Sequence, residues 1–218
     1  MPNVTVIAKP LLQKNDQIAA ANRRLLEAKG LVGINVMSAP GSGKTTLLQK
    51  TIACLGPARC AVLVGDLQTT RDADRLAQAG APVVQINTGR GCHLTAAEVA
   101  DGLATLDLTG RSFLFIENVG NMVCPAGFAL GEHKSVVLMS LPEGDDKVAK
   151  YPTLFQCADV VLLSKIDLAA AMEFDESRVR EDLAQVNSRA PMLRLSTRSG
   201  EGFQAWLDWL AAAISAPK

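Results

Sequence analysis

The chain has 218 residues, 48% of them hydrophobic, with a mean hydropathy of +0.16, enough to close a globular core and to exclude collagenous, disordered and mini-protein architectures. Twenty-two basic and 22 acidic residues cancel to zero formal charge, which removes the electrostatic footprint of general nucleic-acid binding. No apolar run approaches the roughly 18–20 residues of a membrane helix and no signal core opens the chain, so a cytoplasmic protein with no membrane or nucleic-acid partner is expected.

Residues 1–15 show no clear period and read as a terminal arm. Ile18, Leu25 and Leu26, set among alanines and charges, predict an amphipathic helix over about 16–29, stopped by Gly30. Buried strands are then predicted at 31–37, 60–64, 82–86, 113–116, 135–139, 160–163 and 192–195. Helical periods fall at 45–54, 72–78, 95–106, 175–187 and 202–213. Such alternation argues an α/β fold: a three-layer, mainly parallel seven-stranded sheet flanked by helices, preceded by an N-terminal helix. No repeat or linker divides it, so the expected organisation is an arm at 1–15 and one domain at 16–218.

Directly after the first predicted strand, Ser38-Ala39-Pro40-Gly41-Ser42-Gly43-Lys44-Thr45 runs into a helix, the context a P-loop requires. Across Gly41, Ser42 and Gly43, backbone N–H groups can face phosphate oxygens; Lys44 reaches the β- and γ-phosphates and the Thr45 hydroxyl ligates Mg²⁺, with Thr46 next on the helix. The competing reading is an ordinary Gly-rich turn, and Ser38 stands where the motif opens with Gly. Asp66 and Glu117 end predicted strands on the ligand side and are candidates for the Mg²⁺ shell and, with Lys44, for catalysis. Their competing readings are a loop cap and a solvated strand end.

Leu163-Ser164-Lys165-Ile166-Asp167 ends another strand and resembles the guanine-reading Asn-Lys-x-Asp motif of GTPases. Asp167 would accept two hydrogen bonds from the base, and Lys165 would lay its stem on the ring. Ser164 replaces the motif's Asn, and a charged strand-to-helix turn is the alternative. Residues 195–202, with Ser196 and Thr197 near the start, look like a further base-contacting loop. Together they favour GTP over ATP.

Five cysteines, an odd number, point to free thiols or metal ligands rather than disulfides. One of only two histidines, His93, adjoins Cys92 in a glycine-containing turn, and Cys124 lies in the loop after the strand ending at Glu117. Two thiolates and an imidazole suit Zn²⁺ or Ni²⁺ but leave a tetrahedral site incomplete, which a two-fold dimer would repair by doubling the set. Single cysteines are also often small buried hydrophobes, so chemistry alone leaves both readings open. Cys54, Cys60 and Cys157 read as core residues and His133 as a solvated one.

These motifs, together with Gly65-Asp66-Leu67-Gln68-Thr69, residues 87–94, Ile116-Glu117-Asn118-Val119-Gly120-Asn121-Met122-Val123-Cys124-Pro125, Glu143-Gly144-Asp145-Asp146-Lys147 and Lys150-Tyr151-Pro152, resemble the HypB family over about residues 16–218. The resemblance implies a dimerising P-loop GTPase that uses GTP/GDP and Mg²⁺ and shares a Ni²⁺ or Zn²⁺ site built from Cys92, His93 and Cys124. It also implies GTP-dependent nickel insertion into [NiFe] hydrogenase, with a HypA-like nickel chaperone and the hydrogenase large-subunit precursor as partners. The Cys-rich or His-rich N-terminal tracts of many members are missing from this sequence, so nickel storage is not expected. Ser38 and Ser164 depart from the family pattern at positions that bear on the tightness and base selectivity of nucleotide binding, and slow hydrolysis is expected. In the expected switch, GTP·Mg²⁺ draws in the loops after Asp66 and Glu117, with the Gly120 N–H near the γ-phosphate. Asp66 and Asp72 are both candidates to orient the attacking water. Arg71 and Arg75 read first as a solvated helix face and second as charge supplied across a dimer. The rival functions are a small-molecule P-loop kinase, a urease-type accessory GTPase and a non-catalytic metal module.

Overall fold

A computed structural model describes residues 9–66, 70–89 and 91–215. Part of the arm (1–8), Leu67, Gln68 and Thr69 of the motif after Asp66, and Arg90 lie outside the described residues.

In chain order the elements are α1 (Lys9–Ala28), β1 (Val32–Ser38), α2 (Lys44–Leu55), β2 (Cys60–Asp66), α3 (Arg71–Gln78), β3 (Val83–Asn87), α4 (Ala96–Thr105) and β4 (Phe113–Glu117). They continue with β5 (Lys134–Ser140), α5 (Lys147–Lys150), α6 (Pro152–Gln156), β6 (Val160–Ser164), α7 (Glu176–Val186), β7 (Met192–Arg194) and α8 (Phe203–Ser215). The seven strands form one all-parallel sheet in the order β3-β2-β4-β1-β5-β6-β7.

Side chains alternate across a strand, so each strand feeds both covering layers. Val32, Ile34 and Val36 of β1 join Val62, Phe115, Val136 and Leu162 beneath α2 and α8. There Trp206 is fully buried and its indole N–H donates to Thr51 Oγ1 at 2.9 Å. On the other face, Leu63, Leu114 and Ile116 pack with α1 and α4, and Val137, Met139, Val161 and Leu163 pack with α5, α6 and α7. This is the expected three-layer architecture.

Three sequence readings are corrected. Helix α1 starts at Lys9 rather than about Asp16, because it docks partly through polar side chains: Asn15 and Asn22 are buried and bond neighbouring backbone. His133 is buried, 6% exposed, and its Nδ1 accepts the Gly33 N–H at 2.9 Å. Of the three cysteines assigned to the core only Cys60 is buried; Cys54 and Cys157 are exposed, on the last turn of α2 and just after α6. The short helices α5 and α6 fall within a segment where no helix was expected, being too brief to establish a 3.6-residue period.

Parallel strands place their carboxyl ends on one edge of the sheet. From that edge emerge the loop after β1, Asp66 after β2, Cys92 and His93 after β3, Glu117 to Cys124 after β4, and Lys165 and Asp167 after β6.

Candidate nucleotide and metal site

Gly41 and Gly43 take φ of +81° and +103°, the left-handed region that turns successive backbone N–H groups inward. Lys44 opens α2, and its Nζ donates to Ser38 Oγ at 3.0 Å. The serine that departs from the motif thus receives the P-loop lysine. Burial holds the Lys44 ammonium below its ordinary range, opposed by Glu117, Asp72, Glu143 and Asp66. A phosphate would supply the negative charge that this buried cation favours.

The Thr45 hydroxyl donates to Glu117 Oε1 at 2.7 Å. Burial pushes the Glu117 carboxyl up to about 7, with Lys44 opposing, and Oε2 is buried without a hydrogen-bond partner among the described residues. An orphaned carboxylate oxygen beside a hydroxyl is a donor set that fits Mg²⁺, a hard cation. A cavity of about 400 Å³ opens here, lined by Gly43, Lys44, Thr45, Asp66, Glu117 and Gly120 among others.

Asp72 and Arg75 also line it from α3. Arg75 is exposed, as its first reading as a solvated helix residue has it, and also donates through Nη2 to Thr46 Oγ1 at 3.0 Å and to Gln49 Oε1 at 2.8 Å. The sequence pattern of α3 does not reveal this, because the cavity lies beyond the helix's apolar stripe.

The residues expected to read the base stand beside the phosphate loop rather than among the lining of its cavity. Ser164 Oγ donates to the Ser42 carbonyl at 2.9 Å, so the hydroxyl replacing the motif's Asn still braces the two loops. Lys165 is left-handed, φ +59°, and its Nζ donates to the Gly41 carbonyl at 2.7 Å. Ser196 Oγ donates to Asp167 Oδ1 at 2.6 Å and accepts the N–H groups of Arg198 and Ser199. The Thr197 carbonyl is held by Lys50 Nζ at 2.8 Å. These bonds join both candidate base loops to the phosphate loop and to α2.

Cys92, His93 and Cys124 place their ligand atoms within 4.8 Å of one another. Cys92 Sγ lies 3.5 Å from His93 Nδ1, whereas His93 Nε2 is buried without a partner among the described residues. Phe128 packs on the imidazole with ring centroids 4.0 Å apart. Asn121 accepts the N–H groups of Val123 and Cys124 on Oδ1, at 2.6 and 3.1 Å, and turns Nδ2 toward Cys124 Sγ at 3.6 Å. Hydrogen bonding to Cys92, then burial, raises the Cys124 thiol. Two sulfurs and an imidazole nitrogen converging within 4.8 Å fit Zn²⁺ or Ni²⁺.

Sheet order, phosphate loop and strand-end carboxylates define a P-loop nucleoside-triphosphate-binding protein, here with a thiolate–imidazole cluster on adjoining loops. The profile of the CobW/HypB/UreG nucleotide-binding domain matches residues 33–194. The hydrogenase maturation factor HypB of Azotobacter vinelandii is 49% identical over 205 residues, spanning 94% of this chain and 68% of that one. Its Escherichia coli K12 counterpart is 45% identical over 201 residues, spanning 92% and 69%. The crystal structure of Helicobacter pylori HypB in complex with nickel superposes with a TM-score of 0.89 at 42% identity, covering 93% of this chain and 95% of that one. That of Archaeoglobus fulgidus HypB gives 0.86 at 36% identity, covering 93% and 100%. The chain belongs to the HypB family of hydrogenase maturation factors, a GTPase family within the CobW/HypB/UreG group. The small-molecule kinase reading gives way to that membership.

Proposed function

We propose that this protein is a metal-binding GTPase that hands nickel to the [NiFe] hydrogenase large-subunit precursor, in the cytoplasm, with a HypA-like nickel chaperone. One observation carries the reading: the phosphate cavity and the Cys92, His93 and Cys124 cluster stand on neighbouring loops at one edge of one sheet. The names of the relatives, and the nickel in the Helicobacter pylori structure, support it. No helix among the described residues is long and apolar enough to cross a membrane. Residues 16–218 act as one domain, with the helical residues 9–15 continuous with it.

In this reading Gly41, Ser42, Gly43 and Thr46 frame the phosphates and Lys44 offsets the charge that develops on them. Thr45, Glu117 and Asp66 would hold Mg²⁺, which supplies Lewis-acid charge neutralisation at the phosphate oxygens. Asp167, Lys165, Ser196 and Thr197 select guanine, and Gly120 meets the γ-phosphate. Hydrolysis by positioned groups alone is slow and Mg²⁺-dependent, which suits a timer. Nickel is the cargo, and Zn²⁺ fits the same donors. Three ligands from one chain leave a tetrahedral ion incomplete, so a homodimer shares it.

Light scattering with metal analysis, on protein given one equivalent of Ni²⁺ with GDP or a nonhydrolysable GTP analogue, tests the reading. The expected result is a dimer retaining about one ion per two chains with the analogue alone. A metal-free monomer in both states overturns the switch.

A further inference from the structure

Asn118 follows Glu117 at the end of β4, is 1% exposed, and borders the phosphate cavity together with Val119 and Gly120, without being one of the three clustered metal-ligand candidates. Its Oδ1 accepts the N–H of Leu94 at 3.2 Å and that of Val119 at 3.0 Å. Its Nδ2 donates to Asn35 Oδ1 at 3.2 Å, and Asn35 Nδ2 donates in turn to Glu132 Oε1 at 3.2 Å. Two N–H donors on one side and an acceptor on the other leave this amide a single orientation.

The two N–H groups belong to different loops. Leu94 directly follows His93, whereas Val119 directly precedes Gly120. Gly120 lies so close to the phosphate loop that a Cβ there would come within 3.0 Å of Pro40 Cα. The Leu94 side chain is fully buried over Gly65, where a Cβ would come within 2.7 Å of Leu94 Cγ, one residue before Asp66. At the start of the metal loop the Thr88 N–H donates to the Asp66 carbonyl at 3.0 Å. The segment that carries Cys92 and His93 is therefore fastened at both ends to the strand ends that supply the cavity's carboxylates.

We propose that Asn118 is the positioning residue that couples nucleotide state to metal binding, its one amide oxygen holding the metal loop at Leu94 and the nucleotide-sensing loop at Val119. The proposal rests on the GTPase and metal reading above. A movement of Gly120 toward or away from a γ-phosphate displaces the Val119 N–H. In a close-packed interior, where an unpaired polar group is costly, the shared oxygen carries Leu94 and the adjoining His93 with it. Coupling of this kind is reciprocal, so metal binding shifts GTP affinity by the same factor.

The test is the ratio of Ni²⁺ dissociation constants measured with GDP and with a nonhydrolysable GTP analogue. The native protein is expected to show a ratio of about 5- to 150-fold, and Asn118→Ala one within about twofold of unity. A merely structural loss weakens metal binding in both nucleotide states and cancels in the ratio. A native-sized ratio in Asn118→Ala overturns the proposal and leaves the GTPase reading standing; a ratio of unity in the native protein overturns the switch and the proposal with it. If Asn118→Ala does not fold, hydrogen exchange on the native protein without metal decides. A change in Leu94 amide exchange when the analogue replaces GDP supports the strut, and an unchanged rate overturns it.

Discussion

At the scale of single residues, His133 sets one pH response of the fold. Its imidazole accepts the Gly33 N–H where β1 begins, a role only the unprotonated nitrogen can fill. Burial first, then the nearby Arg23 and Lys134, lowers its pKa to about 4, while Glu27 opposes. Because the folded value lies below the ordinary 6.5, folding favours the neutral ring. The stabilisation is complete above that value and is lost as pH falls toward 4. Glu117 works in the opposite sense: raised from 4.5 to about 7 by burial, its contribution is full at low pH and fades as pH rises through 7. Comparison of native protein with His133→Asn, which keeps an acceptor but cannot titrate, isolates the histidine. Between about pH 7 and about pH 5 the urea midpoint of the native protein should fall more steeply than that of the variant; parallel profiles would place the proton uptake elsewhere.

At the scale of elements, the N-terminal helix is joined to the site through its asparagines. Asn15 Oδ1 accepts the N–H of Ala96, the first residue of α4, at 2.9 Å, and Asn22 Nδ2 donates to the Ala96 and Leu130 carbonyls at 2.8 and 2.9 Å. Helix α4 begins where the metal loop ends, at the Thr95–Glu98 capping box, so α1 helps hold that loop's exit. Asn22→Ala should lower unfolding free energy by about 1–3 kcal/mol, the cost of buried groups left unpaired; an unchanged urea midpoint would show that α1 docks by its apolar face alone. The same bonds explain what the sequence conceals. Strands announced themselves as apolar runs bounded by turn residues, and most lie within one or two residues of expectation. A helix face built on Asn15 and Asn22 breaks the apolar period that marks a helix. The phosphate loop was legible because its chemistry is contiguous. Asn118 was not, since its partner Leu94 is 24 residues away and only folding brings them together. Cys92 and Cys124 meet because β2 alone separates β3 from β4 in the sheet, an order that chain sequence does not display.

At the scale of the whole molecule, zero formal charge gives no net field to gather partners, and in the proposed function recognition falls to the sheet edge that carries both candidate sites. There Val123, beside Cys124, is 66% exposed, and among the described residues the cluster offers three candidate ligand atoms. In the proposed dimer this exposed apolar residue beside the three candidate ligands is the surface a second copy would cover, since an isologous contact near a two-fold axis brings both triads together. Cys124→Ser separates this assembly from nucleotide binding. The serine keeps the shape but replaces a soft ligand with a hard one, and its loop meets the phosphate cavity only through Gly120 and its neighbours. Nickel affinity should fall by more than the about 10–100-fold typical of losing an outer-shell partner, and the nickel-linked dimer should disappear from light scattering. Affinity for GDP should stay at the native value in calorimetry. If Cys124→Ser keeps its nickel and its dimer, the shared ion does not use this sulfur, and the two copies must meet elsewhere on the molecule.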